Sequence, residues 1–295
     1  MKYKIFTYDS FTKEKFKGNS AGVVLNAASL TKNSMQSIAC ELGYSETAFI
    51  IETTDEITVR FFTPNSEIDI CGHATIAYIT ALYENNILNN LKEGNNRIYV
   101  KNNLGVFPII VEIQNNNLKN VLMYQDTPAL DYKGIEDLKS EILDALGIDE
   151  QSVDNNFSIV KAYTGLWDLL IPLKNIKILE NLKIDSEKIK KISKKLNIIS
   201  FHPFVMDKNK EFHVRNFAPV VDIPEEAATG TSNGALTYYL YSINKIKDNE
   251  QIKIHQGKSM NRESIIIGQI QLENNKVEVL IGGTAVKIID GFIEI

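Results

Sequence analysis

Cysteine is scarce in this chain. Among 295 residues there are two, Cys40 and Cys71, with no CxxC spacing, which argues against a zinc ribbon or a disulfide framework and suits a reducing cytoplasm. Long apolar runs are missing too. No uninterrupted stretch approaches a membrane span, and the opening Met1-Lys2-Tyr3-Lys4-Ile5-Phe6-Thr7 alternates like a strand without the apolar centre of a signal peptide. Positive charge is in deficit, with a formal net charge of −5 and a pI near 5.5. Such a balance offers no general field to nucleic acid or anionic membranes, so any anionic ligand must be held by local donors. The basic residues scatter, apart from Lys188 to Lys191 and Lys194-Lys195, whose helical spacing reads as a solvated face.

Histidine is sparse too. His202, His213 and His255 lack metal-ligand spacing with one another or with Cys71, and no metal is expected. No GxGxxG, Walker loop or GxSxG nucleophile elbow occurs, so cofactor-free proton transfer is the simplest surviving chemistry. The expected partners are a small anionic metabolite and, in assembly, a second copy of the chain as a homodimer, with neither nucleic acid nor membrane. Length favours about two domains, each large enough for its own core, and a composition of 44% hydrophobic and 23% charged residues supplies one.

What the chain does contain is an echo. Val59-Arg60-Phe61-Phe62-Thr63-Pro64 leads to Gly72-His73-Ala74-Thr75, and Val214-Arg215-Asn216-Phe217-Ala218-Pro219 leads to Gly230-Thr231-Ser232-Asn233. In each copy a β-branched and aromatic run ends at proline, acidic residues follow, and a glycine opens an apolar segment of helical length. Pro64 to Gly72 is eight residues and Pro219 to Gly230 is eleven, so the second copy carries a three-residue insertion near Pro224-Glu225-Glu226-Ala227. Two helix N-termini, one per half, are therefore expected to face a common cleft, each offering unpaired N–H groups and a positive dipole end to a carboxylate.

The remaining elements follow from local signals. Two strands flank the turn Phe16-Lys17-Gly18-Asn19-Ser20, the second being Ala21 to Leu25; Thr31 caps a helix with Met35, Ile38, Ala39 and Leu42 on one face, stopped by Gly43. Tyr44 to Ile51 and Ile57 to Phe62 read as strands, and His73 to Tyr83 as a nearly uncharged helix wrapped by sheet. Asn-rich clusters mark loops. A change of domain is expected between Gln114 and Lys119; Leu138 to Leu146 and Ser186 to Leu196 are amphipathic helices, and Gly282 to Ile289 a strand able to complete the first domain.

Glu46 is a carboxylate at the start of an otherwise uncharged strand, sharing a face with Ala48 and Ile50 on period-two alternation. A charge there needs a reason. Acid/base work is one, since apolar surroundings raise a carboxyl's proton affinity; a solvated edge is the plainer alternative. His73 at the helix mouth is placed to bind an anion or relay a proton, against the alternative of a capping or packed residue. Glu67 and Asp69 are assigned to the turn and the helix dipole. Cys71 is a candidate thiol base or a small buried hydrophobe, and the second copy has no counterpart, reading Ala228-Thr229-Gly230, which leaves a two-thiol racemase incomplete.

At these residues the chain resembles a known family. Phe16-Lys17-Gly18-Asn19-Ser20-Ala21-Gly22-Val23-Val24, Gly43-Tyr44-Ser45-Glu46-Thr47-Ala48-Phe49, Phe62-Thr63-Pro64 with Cys71-Gly72-His73-Ala74-Thr75, and Glu225 to Gly230 resemble the PhzF-like, phenazine-biosynthesis family, nearly end to end. The resemblance implies a diaminopimelate-epimerase-like α/β fold: two similar domains, each a rolled β-sheet around a central helix, with the active site between them. Domains are expected at 1–117, completed by 283–295, and at 118–282. The family's type member isomerises trans-2,3-dihydro-3-hydroxyanthranilate without cofactor, its proton-moving glutamate matching Glu46 and its active-site histidine His73. The second half departs from the family pattern Glu-Asp-Pro-Ala-Thr-Gly-Ser: Glu226 stands for the aspartate, Ala227 for the proline and Thr231 for the serine.

The combined expectation is a cytoplasmic, cofactor-independent isomerase acting on a small carboxylate. Glu46, His73 and Glu226 carry the chemistry, while Asn19, Ser20, Gly72, Gly230 and Thr231 bind substrate. An amino-acid epimerase or racemase, and a non-catalytic small-ligand binder on the same fold, are the alternatives.

Overall fold

A computed structural model describes residues 1–54, 56–274 and 276–295. The chain divides into two compact units, Met1–Met123 with Gly282–Ile295, and Tyr124–Ile281. Among the described residues, no helix is long and apolar enough to cross a membrane.

In the first unit β1 (Lys2–Ser10) pairs antiparallel with β2 (Asn19–Val24). The turn before β2 needs Gly18, whose φ is +66° and where a Cβ would lie 2.1 Å from the Ser10 carbonyl oxygen. Helix α1 (Lys32–Leu42) starts at Thr31, whose hydroxyl accepts the Ser34 N–H, and ends at Gly43 in the left-handed region, with Met35, Ile38 and Ala39 buried. It carries the crossover that sets β3 (Glu46–Glu52) parallel to β2. Strand β4 (Ile57–Phe62) returns antiparallel and pairs briefly with β5 (Glu67–Ile68). Helix α2 (Gly72–Glu84) then leads to β6 (Gly94–Asn102), parallel to β4, and the meander continues through β7 (Gly105–Gln114) and β8 (Asn117–Tyr124). The closing strand Ala285–Glu294 pairs antiparallel with β1.

Helix α2 is buried continuously from Ala74 to Leu82 and packs on β1, β2, β3 and the closing strand. A segment without charge can be enclosed on all sides. Two of the hydroxyls there, those of Thr75 and Thr80, donate to the carbonyls of Cys71 and Ile76 at 2.7 and 2.8 Å, so they enter the core satisfied.

The second unit contains β9 (Ala129–Asp131), α3 (Lys139–Ala145), β10 (Val160–Tyr163), β11 (Trp167–Pro172), α4 (Ile176–Glu180), α5 (Ser186–Leu196), β12 (Ser200–Met206), β13 (Phe212–Val214), α6 (Gly230–Ser242), β14 (Gln251–Gln256), β15 (Ser264–Glu273) and β16 (Lys276–Gly283). Its order of pairings repeats the first. Strands β10 and β11 are antiparallel, β11 and β12 parallel across the α4–α5 crossover, β12 and β13 antiparallel, β13 and β14 parallel across α6, and β14 and β15 antiparallel. Helix α5 buries Ile189, Ile192 and Leu196 against Leu169, Ile171 and Phe201, and leaves Lys188, Lys191, Lys194 and Lys195 exposed. Helix α6 is the counterpart of α2, buried from Ser232 to Thr237 and packed on β10, β11 and β15.

Four local readings shift. Strand β8 continues the meander past the stretch Gln114 to Lys119 and carries the first unit to Met123. The run from Gly282 breaks at Thr284, between β16 and the closing strand. Tyr44 and Ser45 precede β3, in which Thr47 through Ile50 are all buried, so two-residue alternation does not separate a core face from a solvated one. Glu67 is held in ion pairs: Arg60 grips it with bonds of 2.7 and 2.9 Å, and Lys32 reaches it at 2.7 Å.

Candidate active site

In the first unit the opening residue of β3 meets the opening turn of α2. His73 Nε2 lies 3.0 Å from Glu46 Oε2, with side chains 12% and 20% exposed. The distance is that of an ion pair, although among the described residues no hydrogen-bond donor is ideally aligned on the buried Oε2. Ser45 Oγ stands 3.3 Å from the same ring nitrogen. On the other side of the ring, Cys71 Sγ and the Asn19 amide nitrogen each lie 3.5 Å from Nδ1. Cys71 is the N-cap residue of α2 and is buried.

The electrostatics reverse one expectation. Burial does push the Glu46 carboxyl up, but the hydrogen bond and charge of His73, with Ser45 and Cys71, hold it below its ordinary value. Burial pushes the His73 ring down, and Cys71 followed by Glu46 outweigh it, lifting the imidazole to about 10. The resting pair is therefore a carboxylate beside an imidazolium, a base already deprotonated rather than an acid held neutral.

Two supports escaped the sequence. Asp9, 2% exposed, accepts from Ser20 Oγ at 2.5 Å and from the Phe16 N–H at 2.8 Å, fixing the loop that carries Asn19. Ser10 Oγ donates to the His73 carbonyl at 2.7 Å, tying β1 to the mouth of α2. The available signal was an acidic residue near the end of a strand, as Glu46 is one at the start of its own.

In the second unit Glu226 and Thr229 stand before α6. Thr229 Oγ1 donates to Glu226 Oε2 at 2.7 Å, Gln256 Oε1 accepts the Thr229 N–H at 3.1 Å, and Gln256 Nε2 donates to the Glu226 carbonyl at 2.8 Å. Gly230 and Thr231 are half-buried, and the Thr231 carbonyl accepts from Thr164 at 2.8 Å. The first-turn N–H groups of α6, like those of α2, have no preceding intrahelical carbonyl to serve them. Behind this mouth lies a fully buried polar set, Asp168, Ser200, His202, Asn216 and Asn233, of which only His202 was weighed from sequence, and then as a metal ligand.

The echo now has a physical content. In each unit the repeated arginine grips a glutamate downstream of the proline: Arg60 to Glu67, and Arg215 to Glu225 through two bonds of 2.8 Å. Each guanidinium also lies over the phenylalanine two residues on, 5.3 Å from Phe62 and 4.8 Å from Phe217. These clamps fix the chain that approaches each helix mouth.

Among the described residues, Glu46, Cys71 and His73 bring one metal-ligating atom each within 4.8 Å of one another, a set the sequence did not suggest. The proton on His73 and its pairing with Glu46 occupy the same atoms, so the arrangement suits proton transfer. A surface hollow of about 810 Å³ in the second unit, lined in part by Asp144, Asp149 and Glu150, contains none of the candidate residues, and its acidic wall does not suit an anion.

Two units of one topology, each wrapping a buried helix with polar groups at its mouth, and a carboxylate–imidazolium pair in the first, define a protein of the diaminopimelate-epimerase-like fold. A family model described as phenazine biosynthesis-like protein matches residues 8–291. An uncharacterised isomerase of Clostridium acetobutylicum is 38% identical over 97% of this chain and 96% of its own length. A trans-2,3-dihydro-3-hydroxyanthranilate isomerase of Pseudomonas chlororaphis is 27% identical over 89% and 88%. A crystal structure of the PhzF-family phenazine biosynthesis protein of Bacillus anthracis superposes with a TM-score of 0.85 at 29% identity, covering all of both chains. The chain belongs to the phenazine biosynthesis-like (PhzC-PhzF) family and is an isomerase of that family.

Proposed function

We propose that this isomerase moves a proton on a small, carboxylate-bearing metabolite without a cofactor, with Glu46 as the shuttle. The observation that carries the proposal is the 3.0 Å pairing of Glu46 with His73 at the mouth of a buried helix. A carboxylate held ionised takes a proton from carbon. The neighbouring imidazolium stabilises the negative charge that develops and then favours return of the proton at a second position. Asn19 and Ser20, on the loop fixed by Asp9, and Gly72 at the α2 mouth bind substrate in the first unit. Glu226, Gly230 and Thr231 are the second unit's contribution, the glycine-to-helix junction supplying N–H groups to an anion. A cytoplasmic setting with neither nucleic acid nor membrane as partner is part of the same reading, supported by the acidic charge balance.

The racemase alternative needs a thiol in each half. Cys71 holds the N-cap place of α2, and Thr229 holds that place in α6. The test is incubation in heavy water with trans-2,3-dihydro-3-hydroxyanthranilate, the substrate named for the Pseudomonas relative, and with a panel of small cyclic and amino carboxylates. Deuterium uptake with a shifted double bond supports the proposal. Uptake with inversion at one carbon would replace it with epimerisation, and binding without exchange would replace it with a ligand-binding role.

A further inference from the structure

The repeated topology gives Glu46 a counterpart that the family resemblance does not mark. Glu46 opens β3 and sits in register opposite Ala21 of β2. Ser200 opens β12 and sits in register opposite Asp168 of β11. The two strand pairs are the same parallel pair of the repeat, so the first unit places its carboxyl on one strand and the second places its own on the neighbour. In both units the next helix downstream presents its mouth to that end of the core, through His73 in α2 and through Ser232 in α6, whose hydroxyl bears on Asp168.

Asp168 is 1% exposed. Its Oδ1 lies 2.6 Å from Ser200 Oγ, while Oδ2 is buried with no hydrogen-bond partner. The surrounding hydrogen bonds decide its protonation. Asn233 donates from Nδ2 to the Thr229 carbonyl and to Gln256, at 2.7 and 2.8 Å, so its Oδ1 must receive the Nε2–H of His202 at 3.2 Å. Burial pushes His202 down to about 4, so the ring is neutral and its Nδ1 is a bare acceptor. The one Asn216 amide atom lying 3.0 Å from Nδ1 and 2.8 Å from Ser200 Oγ then has to be the N–H end, the two ends of an amide being interchangeable in place. Ser200 thus spends its single proton on Asp168 Oδ1. The Ser232 hydroxyl bears on Asp168 but makes no aligned bond to Oδ2, and a bare carboxylate oxygen in that position would carry poorly compensated charge in the core. A proton on Asp168 removes the conflict.

Burial pushes Asp168 up; the Ser200 and Ser232 hydroxyls and the Ser200 N–H favour its ionised form, and the negative charge of Glu226 opposes it. No lysine or arginine stands among these partners. Glu226 in turn accepts the Thr229 hydroxyl at the start of α6, so two carboxyls share one helix mouth.

We infer that Asp168 is the second unit's counterpart of Glu46: a buried, proton-carrying positioning residue whose ionisation is coupled to Glu226 and sets the charge of the α6 mouth. With Asp168 neutral the mouth carries one negative charge, and with Asp168 ionised it carries two, which disfavours an anion. The consequence for substrate rests on the proposed role of Glu226 and Gly230–Thr231. The proton itself does not.

The test is a carboxyl carbon NMR titration of the intact protein labelled at aspartate, with D168N to assign the resonance and S200A as a second assignment should D168N fold poorly. No turnover or ligand is needed, so its outcome is separable from that of the isomerase proposal. Asp168 should titrate with a midpoint near 7, and in E226Q that midpoint should fall by about half a unit or more. An Asp168 ionised throughout pH 5–8, or a midpoint indifferent to E226Q, would overturn the inference.

Discussion

Replacing Glu46 with glutamine tests the ion pair directly, because the amide keeps the shape and removes the charge. At the observed 3.0 Å, a carboxylate and an imidazolium attract by about 5 kcal/mol at an effective dielectric of about 20. The lift of His73 from 6.5 to about 10 corresponds to roughly the same energy. Burial works against that lift, and Cys71 precedes Glu46 among the groups producing it, so Glu46 alone does not hold the ring charged. Glu46→Gln should therefore lower the His73 midpoint by about one to two units and leave it above an ordinary histidine. Histidine-labelled NMR over the alkaline range reads this in both proteins. The linkage has a definite sign. Glu46 is depressed, so its contribution is present above its ordinary 4.5 and fades in acid; His73 is raised, so its contribution is full below 6.5 and fades as pH climbs through about 10. The stability advantage of wild type over the variant should peak between those ordinary values, near pH 5 to 6, and shrink toward alkaline pH. A wild-type His73 titrating near 6.5, or equal midpoints in the two proteins, would refute the pairing as described.

Three further outcomes are expected. Cys71→Ser should keep most activity, since a hydroxyl retains the contact to His73 Nδ1; a loss as deep as that of Glu46→Gln, at unchanged stability in melting experiments, would favour a one-thiol racemase. Thr231→Val should weaken ligand affinity, measured by calorimetry, by on the order of 1 kcal/mol if the hydroxyl meets a neutral group and more if it meets an anion, with a smaller effect on folding. Arg215→Met should cost about 2–3 kcal/mol in denaturant titrations, because Glu225 is left mostly buried with no second cation paired to it among the described residues; Arg60→Met should cost less, because Lys32 still reaches Glu67.

Much of this molecule is legible where signals are local. Thr31 and Gly43 bound α1 as capping chemistry requires, and Ser186 to Leu196 forms a helix of the expected length. The lack of charge from His73 to Tyr83 foretold an enclosed helix. The Glu46–His73 pair was half legible. A carboxylate in an apolar strand and a histidine at a helix mouth were both visible, but the fold brings them to 3.0 Å, and that contact, with Ser45 and Cys71, reverses the shift expected for Glu46. Asp168 carried the same signal in Trp167-Asp168-Leu169 and went unread, because its meaning depends on register with Ser200, a relation set by the parallel pairing across two helices. The arginine clamps were hidden similarly. The echo showed both arginines and both glutamates, and the return of the chain into β5 in one copy, and the longer Pro224 turn in the other, decides their pairing.

The central claim is that Glu46 moves the proton. Its most direct test is the rate at which solvent deuterium enters a turned-over carboxylate substrate, compared between wild type and Glu46→Gln at equal folded concentration. The account predicts a fall of at least about two orders of magnitude in the variant, the usual scale of acid/base assistance. Exchange within a few-fold of wild type would contradict it and return the search for the base to the other ionisable groups of the two helix mouths.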